Sequence, residues 1–394
     1  MIIFIFITVA VIALTLDYLA TRRIFKATHS RTIRAIWLVL IITINLSLIL
    51  STLAIKYLVV DNTEMVMDVA SWTLTLYTTI TLSKMAFYAG WLPAKRKQSR
   101  GLVIGSALGA FVLVQFIVGI VHTRTAITVR HQTIESASLP ESFDGYRIAF
   151  FSDMHIGSML NAERECQRIV DNIAAQKPDL VVFGGDLTHI RHSELTPRII
   201  EILGHTKARD GVIAILGNHD TGVYIKDTTT LSRRTNEKHL CHSIRAMGWQ
   251  LLRDSTIYIH RQCDSIAVSG VDFSESLLAY KHSFATPEEY NPQPLFDALP
   301  DGIFNICVAH LPQLWPKCAP ACDLMLAGHV HATQIKFSCG NISLSPAMLM
   351  YKEWSGYYSN GDSHLYITDG IGSVGFNLRL GAKPEITLLE LRSR

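Results

Sequence analysis

Phe150-Phe151-Ser152-Asp153-Met154-His155-Ile156-Gly157 is the stretch on which the reading of this chain turns. It predicts a buried strand over residues 147–151, ending in a turn that carries a carboxylate and an imidazole two residues apart. In extended backbone, residues i and i+2 point to the same face. Asp153 and His155 are therefore expected to converge at the C-terminal end of a strand, where open α/β sheets place their ligands. A metal would suit that point. Asp-x-His is frequent by chance, so the argument depends on how the later strands end.

They end in the same way. A helical pattern follows Gly157, with Asn161 as N-cap and Cys166, Ile169, Val170 and Ile173 on one face. Residues 179–183 read as a buried strand ending in Gly184-Gly185-Asp186-Leu187. A helix over 195–205 leads to a strand over 211–216, ending in Gly217-Asn218-His219-Asp220. This is a β-α-β-α-β rhythm, and right-handed crossovers bring such strand ends to one edge of a sheet. Later, a strand over 303–308 ends in Ala309-His310, and one over 323–327 ends in Gly328-His329-Val330-His331. Each cluster has a bland alternative. An Asp after Gly-Gly is commonly a turn residue, Asn-His-Asp suits an Asx turn, and a lone His is more often a satisfied core residue than a ligand. Recurrence at successive strand ends favours one shared site. Asp272, after a strand over 265–271, reads as a turn residue. Residues 228–247 look helical toward their end, and the proline-rich 280–294 reads as a loop.

The rest of the chain sets the context. Hydrophobic residues make up 49% of the 394 and the mean hydropathy is +0.24, values that lean toward a membrane protein. The apolar excess sits in residues 1–122. A net charge of +3 gives no reason to expect nucleic acid as a partner. Seven cysteines without a C-x-x-C pair form neither a disulfide framework nor a zinc finger. Apolar runs at 2–16, 36–55, 66–92 and 102–121 predict four membrane spans, with Asp68 and Lys84 of the third expected to snorkel. The first loop carries Arg22, Arg23, Lys26, Arg31 and Arg34, and Lys95, Arg96, Lys97 and Arg100 precede the last span. Both segments lack acids, which places them in the cytoplasm and everything after residue 122 on the outer face of a cell membrane. Domain limits follow at 1–122, a linker and first strand over 123–145, and a second domain over 146–394.

The candidate ligands are Asp153, His155, Asp186, Asn218, His310, His329 and His331, too many for one four-coordinate ion and suited to two. Mixed oxygen and nitrogen ligation without thiolate fits two divalent ions of Mn, Fe or Zn. Two ions sharing a carboxylate are a common device for hydrolysing phosphate esters. An imidazole outside the ligand set should then assist the leaving oxygen. His219 is that candidate, with Asp220 expected to orient or polarise its ring.

The ordered series Asp-x-His, Gly-Asp, Gly-Asn-His-Asp, His, Gly-His-x-His resembles the calcineurin-like metallophosphoesterases, with the membrane-anchored bacterial branch the nearest in kind. The resemblance covers about residues 145–394, and Leu365-Tyr366-Ile367 and Pro384-Glu385-Ile386 look like the last strands of that branch. It implies an α/β/β/α fold, two packed mixed β-sheets flanked by helices, behind a four-helix transmembrane region. It also implies a first ion on Asp153, His155, Asp186 and His331, and a second on Asp186, Asn218, His310 and His329. The branch commonly has Arg-Gly and Pro-x-Arg where this chain has Asp369-Gly370 and Asn377-Leu378-Arg379. The expected activity is hydrolysis of a phosphomonoester, phosphodiester or pyrophosphate, with lipid-linked phosphates among the candidate substrates. The competing reading is a catalytically silent membrane sensor or scaffold that keeps the fold.

Overall fold

A computed structural model describes residues 2–57, 64–94, 98–225, 230–280, 285–340 and 342–394. The chain divides into two compact units, Met1–His122 with Gly375–Leu378, and Thr123–Val374 with Arg379–Arg394. The expectations for Lys95, Arg96 and Lys97, for 228–229 and for 281–284 lie outside the described residues.

The first unit contains four long helices: α1 (Ile2–Ala27), α2 (Arg31–Tyr57), α3 (Glu64–Trp91) and α4 (Gln98–Val121). Two segments, Arg31–Ser51 and Ser99–Thr125, are long and apolar enough to cross a membrane by length and composition. Lys84 departs from expectation. It does not snorkel but reaches across to Asp17, Nζ to Oδ2 at 2.7 Å. The Asp17 carboxylate also accepts from Asn45 Nδ2 at 2.8 Å and from the Tyr88 hydroxyl at 3.0 Å. A charge among apolar helices is costly unless paired. Asp17, the residue after the first apolar run, supplies the partner. Arg23 closes the end of α3 by donating to the carbonyls of Trp91, Leu92 and Ala94.

The second unit is built on two six-stranded mixed sheets. In chain order its strands are β1 (Thr128–Ser136), β2 (Arg147–Phe151), β3 (Leu180–Phe183), β4 (Val212–Ala214), β5 (Gln250–Leu251), β6 (Ser255–Arg261) and β7 (Asp264–Gly270). They continue with β8 (Phe304–Val308), β9 (Leu324–Ala327), β10 (Phe337–Cys339), β11 (Ile342–Leu344), β12 (Gly356–Asn360), β13 (Ser363–Ile367) and β14 (Glu385–Ser393). The first sheet runs β1-β14-β2-β3-β4-β5, the second β12-β13-β9-β8-β7-β6, and β10-β11 is a separate hairpin. Strands β2, β3 and β4 are parallel neighbours, as are β7, β8 and β9.

Alternation along the strands decides which residues fill the space between the sheets. Ile148, Phe150, Leu180, Val182 and Ile213 of the first sheet join Val268, Ile306, Val308, Leu324 and Leu326 of the second in one buried cluster. On β2 and β3 the intervening Phe151 and Phe183 are buried with Trp249, their ring centroids 5.1–6.0 Å apart. Helix α5 (Ala162–Gln176) is capped by Asn161 and buries Cys166, Ile169, Val170 and Ile173, the face the sequence predicts. Two further helices, α6 (Pro197–Leu203) and α7 (Thr230–Ala246), complete this flank. Asp272 is a structural residue, its carboxylate paired with Arg253 at 2.8 Å. All seven cysteines are free thiols.

Candidate metal centre

Five strand ends supply the centre. Asp153 and His155 follow β2, Asp186 follows β3, and Asn218 and His219 follow β4. From the second sheet, His310 follows β8, and His329 and His331 follow β9. The parallel strands of the two sheets thus deliver their C-terminal loops to one place. Backbone bonds stitch those loops together, Asp153 N–H to Gly185 O at 2.9 Å, His155 N–H to Asp186 O at 3.1 Å and Gly328 N–H to His310 O at 3.2 Å.

The side chains converge in two groups. In the first, His331 Nε2 lies 3.2 Å from Asp153 Oδ1 and 3.1 Å from His155 Nε2. In the second, His310 Nε2 lies 3.2 Å from Asp186 Oδ2 and 3.1 Å from Asn218 Oδ1. His329 joins this group with its ring centroid 5.1 Å from that of His310. Asp186 Oδ2 also lies 3.6 Å from His155 Nε2, which places one carboxylate oxygen between the two groups. The donor atoms of Asp153, His155 and His331, and those of Asp186, His310 and His329, lie within 4.8 Å of one another in each set. Two carboxylates, four imidazoles and an amide, with no thiolate, fit hard-to-borderline divalent ions.

The comparisons with known proteins agree. The family model for the calcineurin-like phosphoesterases matches residues 146–333. Those residues are a calcineurin-like phosphoesterase domain. The chain is 29% identical over 280 residues to the metallophosphoesterase YkuE of Bacillus subtilis, covering 68% of this chain and 86% of that protein. A transmembrane protein with a metallophosphoesterase domain from Danio rerio is 30% identical over 283 residues, 70% of this chain and 59% of its own length. Phosphodiesterase YaeI of Escherichia coli is 27% identical over 248 residues, 62% of this chain and 82% of its own. The chain is a metal-dependent phosphoric ester hydrolase.

The convergence is reached by a route that the sequence reading missed. Asp153 and His155 do not point to one face because the backbone is extended. Both are left-handed, with φ of 57° and 45°, as are Asp186 at 59°, His329 at 72° and His331 at 52°. Non-glycine residues in this region cost about 1–3 kcal/mol each and gather at functional sites. Glycines make the crowding possible. A Cβ on Gly217 would stand 2.2 Å from Asp186 Oδ1, and one on Gly328 would stand 2.4 Å from Asp153 Oδ2.

Burial and neighbouring charge set the protonation of the donors. Burial opposes ionisation of Asp186, but the His310 imidazole, first among its neighbours, outweighs it and holds the carboxyl well below its usual range. Burial, with the charge of His219 next, pushes His155 well below its ordinary value, so its ring stays neutral. Burial also works against a charge on His310, yet Asp186 lifts it to about 9. His310 Nδ1 donates to Gly184 O at 2.8 Å, so Nε2 is the nitrogen that faces Asp186 and shares its proton with that carboxylate; an ion bound at Nε2 would take that proton's place.

His219 lies beside this centre, its ring 4.6 Å from that of His155 and stacked on Tyr224 at 4.1 Å. Asp220 does not orient it. The Asp220 carboxylate instead accepts from the backbone N–H groups of Asp186, Leu187, Thr188 and Gly217 at 2.8–3.0 Å. His219 Nδ1 pairs with the carbonyl of His189 at 2.6 Å. The side chain of Asp220 is committed to the turn, so the backbone takes over the role expected of it.

Three further residues were not singled out by pattern. His189 stacks on His219 with ring centroids 5.5 Å apart, and lies only three residues beyond Asp186. Tyr351 brings its hydroxyl to 3.5 Å from His329 Nε2. Arg379 donates to His331 Nδ1 at 3.2 Å. Asp369, a departure from the family pattern, is buried and accepts from Lys336 at 3.0 Å and Arg130 at 3.3 Å.

Proposed function

We propose that this chain is a membrane-anchored, two-metal hydrolase of a phosphate ester or pyrophosphate, with lipid-linked phosphates the first substrates to try. The observation that carries the reading is the position of Asp186 Oδ2 between His155 Nε2 at 3.6 Å and His310 Nε2 at 3.2 Å. One carboxylate faces two donor groups, as a bridging ligand must. Asp153, His155, Asp186 and His331 would hold the first ion, and Asp186, Asn218, His310 and His329 the second. Bound there, two divalent ions supply Lewis acidity toward phosphoryl oxygens and an activated water.

The chain's own residues do the rest. The carbonyl of His189 fixes the His219 ring through Nδ1, leaving Nε2 as the atom that exchanges a proton with the leaving oxygen. Burial holds His219 below its ordinary value, with Asp186 acting the other way. An anionic phosphoryl group brought against the ring would favour its protonated form. Asp220 holds the turn that presents both Asp186 and His219.

Four spans remain our reading of α1 to α4, with the N-terminus and the hydrolase on the outer face. The acid-free basic loops support that orientation, and the word transmembrane in the name of the Danio rerio relative supports a membrane location alone. A membrane location favours substrates that are themselves lipids. The full chain, purified in detergent with Mn, should hydrolyse an aryl phosphodiester, an aryl phosphomonoester or a lipid phosphate, and Asp186→Asn should not. Equal rates for the two proteins with every substrate and metal tried would sink the reading. Protection of the hydrolase from protease added outside spheroplasts would overturn the orientation.

A further inference from the structure

We propose that His189 is a second substrate-contacting imidazole, donating a hydrogen bond to a phosphoryl oxygen beside His219. This rests on the two-metal hydrolase reading above.

The first support is how its loop is held. Six consecutive backbone N–H groups are tied to two buried carboxylates. Those of Asp186, Leu187 and Thr188 go to Asp220 at 2.8–3.0 Å. Those of His189, Ile190 and Arg191 go to Glu194 at 2.5–3.0 Å. Glu194 also accepts from Gly157 N–H at 2.9 Å, fastening this loop to the one that carries His155. A surface connection has no need of such restraint. Here it fixes two side chains that face the centre, the carboxylate of Asp186 and the ring of His189.

The second support is the ring itself. His189 is 5% exposed, and its Nδ1 is buried without a hydrogen-bond partner. A buried polar atom left unpaired costs about 1–3 kcal/mol, and an orphan of this kind in a folded protein calls for an explanation. A nitrogen of His189 lies within 4.8 Å of nitrogens of both His155 and His219. The ring stands edge-on to His155 at 5.6 Å and stacks on His219 at 5.5 Å. It therefore borders the centre on the side of His219.

A third metal ion is the less favoured occupant. The trio of His155, His189 and His219 contains no carboxylate, His155 already converges with Asp153 and His331, and His219 Nδ1 is taken by the His189 carbonyl. A phosphoryl oxygen accepts the hydrogen bond that a neutral imidazole can give, and it lies where His219 must act. Two imidazoles linked through one carbonyl would then contact the same phosphate.

The test uses Mn-loaded full chain in detergent and compares wild type with His189→Ala and His189→Asn. Metal content is read by elemental analysis, and affinity for inorganic phosphate by calorimetry. The expected result is two Mn per chain in all three proteins. Phosphate affinity should fall about tenfold in His189→Ala, the loss of one hydrogen bond to a charged group, and recover in part in His189→Asn, which restores a donor. The value of kcat/KM for an aryl phosphodiester should fall at least as much. Unchanged phosphate affinity in His189→Ala would overturn the proposal. So would a third Mn in wild type that the variant lacks, or loss of the first two. Failure of wild type itself to hold two Mn or to bind phosphate is a different outcome, and would bring down the hydrolase reading on which this proposal stands.

Discussion

Replacing Arg379 with methionine asks how far the centre depends on one buried cation. Arg379 is 0% exposed, and all of its N–H groups are used. Nε donates to Gly372 O at 2.9 Å, Nη1 to the carbonyls of Asp369 and Ala382 at 2.9 Å, and Nη2 to Gly372 O at 2.6 Å and His331 Nδ1 at 3.2 Å. Burial draws the guanidinium down to about 10 against the pull of Asp369 and Asp153, so it stays charged at neutral pH. The segment it clamps is bound in turn to the end of β2, Ile371 N–H to Ser152 O at 3.1 Å and Gly372 N–H to Asp153 O at 2.7 Å.

Methionine keeps much of the chain length and removes every donor. Three carbonyls and one imidazole nitrogen then lose a partner in the interior. At about 1–3 kcal/mol for each such group, the loss is roughly 4–12 kcal/mol. Removing a buried cation returns several kcal/mol of desolvation cost, which leaves a net loss of about 3–5 kcal/mol. At about 2–4 °C per kcal/mol for a domain of this size, the melting temperature should fall by roughly 6–20 °C. His331 loses the group that orients its ring and that, by donating to Nδ1, sets which nitrogen carries the proton, so Mn affinity should change by about tenfold or more. Differential scanning calorimetry and Mn titration of the full chain measure both. Arg379→Lys keeps a charge but cannot fork between four acceptors, and should lie between. An Arg379→Met protein that melts within about 2 °C of wild type would refute the clamp, and a lowered Tm with unchanged Mn affinity would refute the effect on His331.

Three other substitutions probe separate parts of the argument. In Gly328→Ala the new Cβ would stand 2.4 Å from Asp153 Oδ2 and 2.3 Å from Ser152 Oγ; hydrolysis should fall by about 100-fold with loss of Mn, and a variant that keeps both would show the site to be more yielding than drawn. Lys84→Met leaves Asp17, 3% exposed, without its cation, and should cost the helical unit about 3–5 kcal/mol; adding Asp17→Asn should recover most of this in thermal melts in detergent, and equal melts for all three would remove the pair's importance. Glu194 is lifted by burial from 4.5 to about 7 despite four backbone N–H groups. The fold therefore holds this proton more tightly than the unfolded chain, and the contribution is full below about pH 4.5 and declines by about 3 kcal/mol as pH rises to 7. Urea unfolding should show that slope in wild type and lose it in Glu194→Gln, whatever the offset between the two; parallel curves would contradict it.

What the sequence made legible, and what it hid, has a common physical cause. Runs such as Leu180–Phe183 and Leu324–Ala327 are apolar because both faces are covered, and the glycines after them mark where such runs stop. Placing Asp186 and His329 at strand ends needed nothing more. Asp220 was misread because sequence adjacency to His219 suggested a side-chain pair, whereas a carboxylate in a tight turn finds backbone N–H groups first. Lys84 was misread because its partner lies on another helix, 67 residues away. Arg379 was noted only as part of a departure from the family pattern, since nothing local reveals that its donors will meet three carbonyls and a ring.

The left-handed residues at the centre explain why these hidden contacts exist at all. Regular strands satisfy their own amides, but a chain that turns through Asp153, His155, Asp186, His329 and His331 at positive φ leaves the ladder. Its N–H and C=O groups then need partners from elsewhere. Asp220 and Glu194 supply acceptors to the loop after β3, Asp153 accepts from His329 N–H at 3.0 Å, and Arg379 supplies donors to the turn at 369–372. These buried charges are thus a consequence of bending the backbone far enough to aim five side chains at one point. On this view, a substitution at Asp220, Glu194 or Arg379 should act on metal affinity and on stability together, whereas His189, whose ring clamps nothing, should affect phosphate and leave the metals in place.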